Sequence, residues 1–297
     1  MALLIAPQNF DFASSVYFMC RGACDPVNIV TPDVWRRAFI EPDQTFLLEV
    51  KNQGELECSF LNDSSPDRPI NKIVSRLLGL HDFPKTTSYI PKLLRARMRQ
   101  GRKIAMPTYP TFFEAAVQIL LGQQISVLAA NAVRARFVHT FGNSLVFDGK
   151  RYWAYPHYSD VIAKAEASSL QKLGISRVKA QAILGLARFC ENSADQIDAF
   201  ERQPIETALE KMTQLYGIGR WSAEWILLRG LRRLDVVPAG DLVVRKAVAW
   251  GFGLATMPLE EEVRHLAADW GRLGGLVTYQ LLCAYNLYQQ NKEEKNA

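Results

Sequence analysis

Histidine and cysteine are scarce in this chain, and neither is clustered. The four histidines (His81, His139, His157, His265) lie far apart, so no ligand spacing for a metal is present. The five cysteines fall at 20, 24, 58, 190 and 283. Their count is odd and only Cys20 and Cys24 are close, with no second pair to complete a zinc site. The C-terminal region also lacks the four-cysteine cluster of an iron–sulfur centre. Scattered thiols of this kind point to a reducing compartment. No apolar run reaches the ~18 residues that a membrane span needs. The opening Met1–Pro7 segment has no basic flank and is too short for a signal peptide.

What is present is ordinary for a globular protein. At 297 residues and 48% hydrophobic content the chain can bury a sizeable core, in one large domain or two to three small ones. The net charge of +5 is compatible with a polyanionic partner but does not demand one.

The patterning changes along the chain. Thr45–Val50 and Leu56–Leu61 flank Asn52-Gln53-Gly54 and predict a two-stranded hairpin. Residues 33–40 read as helical or irregular, and Ser15–Met19 fits either helix or strand. From Asn71 to Leu80 the apolar spacing is helical. Beyond residue 85 almost everything reads as helix, beginning with a basic amphipathic stretch over Tyr89–Met98. The segments 111–121, 125–141, 160–173, 177–192, 204–215, 221–231, 241–250, 259–270 and 278–289 follow, with Gly and Pro at most boundaries. The expected class is α+β: a small N-terminal antiparallel-sheet α/β domain over residues 1–80 and a mostly helical body over 81–297.

Two short segments of that body stand out. Leu215-Tyr216-Gly217-Ile218-Gly219-Arg220-Trp221-Ser222-Ala223 is a glycine turn between two helical patterns, expected as a hairpin over about 211–225. Gly217 and Gly219 permit angles closed to other residues and let the backbone approach another group. The helix beginning near Arg220 has free N–H groups and a positive dipole end, which suit a phosphate oxygen. A plain turn between helices is the alternative. A dinucleotide fingerprint is disfavoured, because no strand precedes it and the third glycine position is Ser222. Leu173–Ala180 echoes the motif with one glycine missing and reads as a simple helix–helix turn or an auxiliary contact of the same kind. The second segment, Pro238-Ala239-Gly240-Asp241, delivers one carboxylate to a helix start, where it can cap the helix, face a cleft, or both.

Taken together, the glycine hairpin and the Pro-Ala-Gly-Asp segment resemble the helix-hairpin-helix-GPD DNA glycosylases, most closely the 3-methyladenine DNA glycosylase II type. Ile119–Ser126 is similar to that family's helix and minor-groove loop, and the resemblance spans about residues 70–290. It implies that Asp241 is catalytic and that Trp221 stands where lyase-competent relatives carry a Schiff-base lysine. The reaction implied is monofunctional removal of alkylated purines, such as 3-methyladenine and 7-methylguanine, after base flipping. Trp221, Trp225, Tyr285 and Leu242 are the expected base-pocket residues. Gln124 takes the position of the apolar wedge. Gly217, Gly219, Arg220, Arg245 and Lys246 are the expected DNA contacts. No cofactor is required; the resemblance implies a structural Na⁺ or K⁺ on the backbone carbonyls of Thr213, Leu215 and Ile218. The implied partner is double-stranded DNA containing damaged bases. The protein is expected to be a monomer with no membrane association, in the cytoplasm (nucleoid) or the nucleus. Two alternatives remain: a glycosylase for an oxidised or mismatched base, and a non-catalytic helix-hairpin-helix DNA-binding protein.

Overall fold

The computed structural model describes residues 2–20, 25–41, 44–62, 69–81, 83–84 and 86–296. Cys24 of the Cys20/Cys24 pair lies outside the described residues. The first third of the chain forms β1 (Ala2–Leu4), α1 (Phe12–Cys20), β2 (Asn28–Val30), β3 (Val34–Glu41), β4 (Gln44–Asn52), β5 (Leu56–Phe60) and α2 (Ile70–Leu78). The five strands make one antiparallel sheet in the order β1-β5-β4-β3-β2. The expected hairpin is β4–β5, with Asn52 opposite Leu56.

β4 is buried along most of its length, because both faces of the sheet are covered. Leu48 and Val50 pack with Phe12 and Val16 of α1 and with Val74, Leu77 and Leu78 of α2. Leu47 packs on the other face with Ala38, Tyr152 and Ala154. Full burial of each such side chain contributes about 1.5–3 kcal/mol.

The expectation of a helical or irregular segment over residues 33–40 is corrected: this is strand β3. Adjacent Arg36 and Arg37 break its apolar alternation, but each arginine has a carboxylate partner on its own face of the sheet. Arg36 pairs with its cross-strand neighbour Glu49, and Arg37 pairs with buried Glu114. Ser15–Met19 falls in helix α1.

The helical body contains α3 (Phe112–Gly122), α4 (Val127–Phe141), α5 (Tyr158–Lys164), α6 (Ala167–Lys172), α7 (Arg177–Asn192), α8 (Ala194–Arg202), α9 (Ile205–Thr213), α10 (Arg220–Gly230), α11 (Leu242–Phe252), α12 (Glu260–Ala268) and α13 (Gly274–Asn296). A second hairpin, β6 (Ser144–Phe147) and β7 (Lys150–Trp153), interrupts them. It covers the outer face of the main sheet and bridges to it at Ala38 and Ala154. Its signal was Asp148-Gly149 between β-formers, and both residues have positive φ (49° and 70°), as a type I′ turn requires.

Two further expectations change. Tyr89–Met98 is not an α-helix but a run of turns with a short 3₁₀ segment at Lys92–Leu94. Ile90, Leu94 and Met98 are buried at helical spacing, yet Pro91 disfavours helical angles at Ile90 and is itself extended, with ψ 135°. The last helix begins at Gly274 rather than Thr278. Gly275 does not break it; a Cβ there would meet the Val236 carbonyl at 2.4 Å, so the glycine lets α13 pack against the chain before α11.

Candidate active site

The hairpin is α9, a turn and α10. Gly217 has φ +80°, and a Cβ on it would meet Ala182 Cβ of α7 at 2.6 Å. Both facts require glycine there. Gly219 differs from its expectation: its φ of −88° and ψ of 175° suit any residue. Nothing lies within 4 Å of a Cβ built on it, and no side chain caps α10. The first amides of α10 are therefore left without a side-chain cap. At the echo motif, by contrast, Ser176 caps α7 through the Lys179 amide.

The hairpin is tied to the α3–α4 loop. Gln123 Nε2 donates to the Gly217 carbonyl at 3.1 Å and to Ser222 Oγ at 2.7 Å. Lys179 Nζ in turn donates to the Gln123 carbonyl at 2.7 Å. Gln124, next in the loop, is exposed and held at φ 56°. Ile125, Val127 and Leu128 beside it are also exposed, at 41%, 50% and 77%, which is uncommon for a cluster of apolar side chains.

Asp241 caps α11. Its Oδ1 accepts the Val243 and Val244 amides at 2.8 and 3.0 Å. Its Oδ2 accepts the indole N–H groups of Trp221 at 2.8 Å and of Trp225 at 3.1 Å. Four N–H donors thus fix one carboxylate. Trp221 and Trp225 lie one turn apart on α10, so one helix face supplies both indoles. All three side chains line a cleft of about 300 Å³. The cleft is lined further by α3, through Gln118, Ile119 and Gly122, by Ile125 of the α3–α4 loop and by Val127 at the start of α4. Met19, Cys20 and Asp25 line it from the sheet side. Burial pushes the Cys20 thiol well above its ordinary range, so it stays protonated in the cleft. No lysine lines the cleft among the described residues.

Behind α10, buried Glu224 is held by Arg220 at 3.1 Å and by Arg264 at 2.6 Å. Arg264 also reaches Glu260, whose carboxylate packs over Gly240 just before Asp241. Sequence reasoning missed this cluster because its members come from three separate segments.

The other expected site residues are placed as follows. Leu242 is 52% exposed and points away from the cleft lining, where its neighbour Val243 sits instead. Tyr285 packs against Trp250 in a tilted arrangement, with ring centroids 5.9 Å apart and planes at 54°, and does not line the cleft; Leu282, one turn earlier, does. Arg220 is committed to Glu206 and Glu224. Arg245 Nε donates to the Pro258 carbonyl at 2.7 Å. Lys246 is exposed and makes no ion pair among the described residues. Of the three carbonyls considered for a cation, that of Leu215 accepts the Ile218 amide at 3.0 Å. Those of Thr213 and Ile218 accept no backbone N–H among the described residues. Neutral oxygen donors on one turn fit a hard cation.

Comparison with known proteins places the chain in a family and a fold. The family model of the HhH-GPD superfamily base excision DNA repair proteins matches residues 117–272, just over half of the chain. A DNA-3-methyladenine glycosylase of Bacillus subtilis is 23% identical over 94% of this chain and 95% of its own length. A solved 3-methyladenine DNA glycosylase from Archaeoglobus fulgidus superposes with a TM-score of 0.79 at 22% identity, covering 96% of this chain and 99% of its own. The 8-oxoguanine glycosylase/lyase of Clostridium acetobutylicum, solved with double-stranded DNA, gives a TM-score of 0.75 at 16% identity over 95% of this chain and 93% of its own.

Proposed function

This chain belongs to the HhH-GPD superfamily of base excision DNA repair proteins, and on that premise we propose that it removes 3-methyladenine and 7-methylguanine from duplex DNA by a monofunctional, Asp241-assisted hydrolysis. It is a DNA glycosylase, a hydrolase of N-glycosyl bonds that acts on alkylated bases in base excision repair. The observation that carries the finer reading is the convergence of Trp221 and Trp225 on one oxygen of Asp241 in an open cleft.

The proposed chemistry follows from that arrangement. The target nucleotide leaves the stack, because its glycosidic bond is shielded in the duplex. Its base lies against the indoles, whose faces attract the positive charge of an alkylated purine. The bond from C1′ to the base nitrogen breaks and its electron pair leaves with the base, which departs neutral. Positive charge grows on the sugar, where the fixed Asp241 carboxylate stabilises it without having to reorganise. Water then adds to C1′ and releases its proton to solvent, leaving an abasic site. Trp221 offers no amine and no lysine lines the cleft among the described residues, so no Schiff base follows and the strand stays whole. That argues against a lyase reaction of the kind named for the Clostridium protein.

The uncapped amides of α10 hold a backbone phosphate. An alkali cation on the Thr213, Leu215 and Ile218 carbonyls would add positive charge at that turn. The test is release of free base from methylated duplex DNA. Purified protein is expected to liberate 3-methyladenine and 7-methylguanine, resolved by chromatography. Release of neither base would overturn the reading.

A further inference from the structure

The polar side chains of the cleft are almost all engaged. Asn28 Oδ1 accepts Trp35 Nε1 and Arg37 Nη1, both at 3.0 Å. Arg37 is paired with Glu114. Arg229 Nε donates to the Pro107 carbonyl at 2.6 Å, and Asn131 Oδ1 accepts Arg134 Nη1 at 3.1 Å. Gln118 is different. It is only 8% exposed, yet its carboxamide forms no hydrogen bond among the described residues. Neither of its side-chain polar atoms is sealed away from solvent, and the residue lines the cleft. The free carboxamide therefore opens into the cleft that Asp241, Trp221 and Trp225 also line.

Its backbone is not free. Arg134 donates to the Gln118 carbonyl through Nε at 3.2 Å and through Nη2 at 2.6 Å, so the residue is pinned while its amide is unused. Because both polar atoms reach the cleft, they are open to water, and a ligand that reproduces those hydrogen bonds displaces it without leaving the carboxamide unpaired.

We infer that Gln118 is a specificity-determining residue that hydrogen-bonds the group at position 6 of the extruded purine. The inference rests on the glycosylase reading above. A carboxamide carries both an acceptor and two donors, and rotation about its last bond exchanges them. Gln118 Oε1 accepts from the exocyclic amine of an adenine-type base. After rotation, Gln118 Nε2 donates to the carbonyl oxygen of a guanine-type base. One side chain thus accommodates both alkylated purines, while the indoles near Asp241 respond to their shared positive charge.

The test uses one methylated duplex preparation containing both 3-methyladenine and 7-methylguanine, with single-turnover release of each measured in the same tube. The ratio of the two rates is independent of the folded fraction. Gln118→Glu keeps an acceptor for the adenine-type amine and sets a carboxylate against the guanine-type carbonyl. The expected result is a ratio shifted about tenfold toward 3-methyladenine, the scale of one correct base contact. Gln118→Leu is expected to slow both releases. A ratio within threefold of the parent in Gln118→Glu overturns the inference, whatever the absolute rates. Release of neither base by the unsubstituted protein overturns the glycosylase reading itself, and this inference with it.

Discussion

The two walls of the cleft are built on opposite plans. On the α10–α11 wall every polar atom of Asp241 is occupied, by two backbone amides and two indoles. On the α3 wall the buried carboxamide of Gln118 is left open. The difference separates two tasks. A group that must hold a fixed charge through the reaction benefits from saturation, since nothing then has to reorient. A group that must accept different bases benefits from being free to rotate. Substitutions on the first wall should therefore change rate for all bases alike, and those on the second should change selectivity.

The largest effect is expected for Asp241→Asn. Asparagine still caps α11, so the fold and duplex binding should survive. Single-turnover base release should fall by about 10³-fold, for adenine-type and guanine-type lesions together. A selective loss of one base would break the comparison. Trp221→Phe and Trp225→Phe keep a ring and remove one donor each. Each should slow release about tenfold, again for both bases.

The hairpin sharpens the comparison outside the cleft. Gly217→Ala places a Cβ 2.6 Å from Ala182 Cβ at a positive φ and should cost about 1–3 kcal/mol in urea unfolding. Gly219→Ser meets open space and can cap α10 as Ser176 caps α7. Stability should hold or rise, whereas affinity for undamaged duplex should fall, with a salt dependence about one phosphate shallower. The smallest effect is expected at Glu206, whose side chain is 65% exposed beside Arg220. Glu206→Gln should cost under ~1 kcal/mol at pH 7. The Arg220 hydrogen bond lowers the Glu206 carboxyl below its ordinary 4.5. The stabilisation is therefore present above that value and is lost as pH falls through the lowered one. Thermal unfolding of both proteins should converge in acid.

Much of this arrangement was legible in the sequence. Arg177–Asn192 is helical over the expected span, because its apolar period and flanking turns agree. The glycine turn and the capping aspartate were visible as local chemistry. The convergence of Trp221 and Trp225 on Asp241 was legible only as helical spacing; that their N–H edges, rather than their faces alone, meet the carboxylate depends on side-chain rotamers. Leu242 and Tyr285 were misplaced by one position and one turn, because a cleft lining depends on how helices are rotated against each other. Strand β3 was hidden by its paired arginines, whose partners Glu49 and Glu114 are distant in sequence. Gln118 gave no local signal, since a missing partner is visible only once every neighbour is in place.

The central claim is that a fixed carboxylate, in a cleft that no lysine lines among the described residues, performs the reaction. The most direct measurement incubates purified protein with a duplex carrying a single alkylated purine, in the presence and absence of borohydride. The account predicts free base, a strand that breaks only after alkali, and no trapped adduct. An efficient covalent protein–DNA adduct would show that an amine does the chemistry and would contradict it.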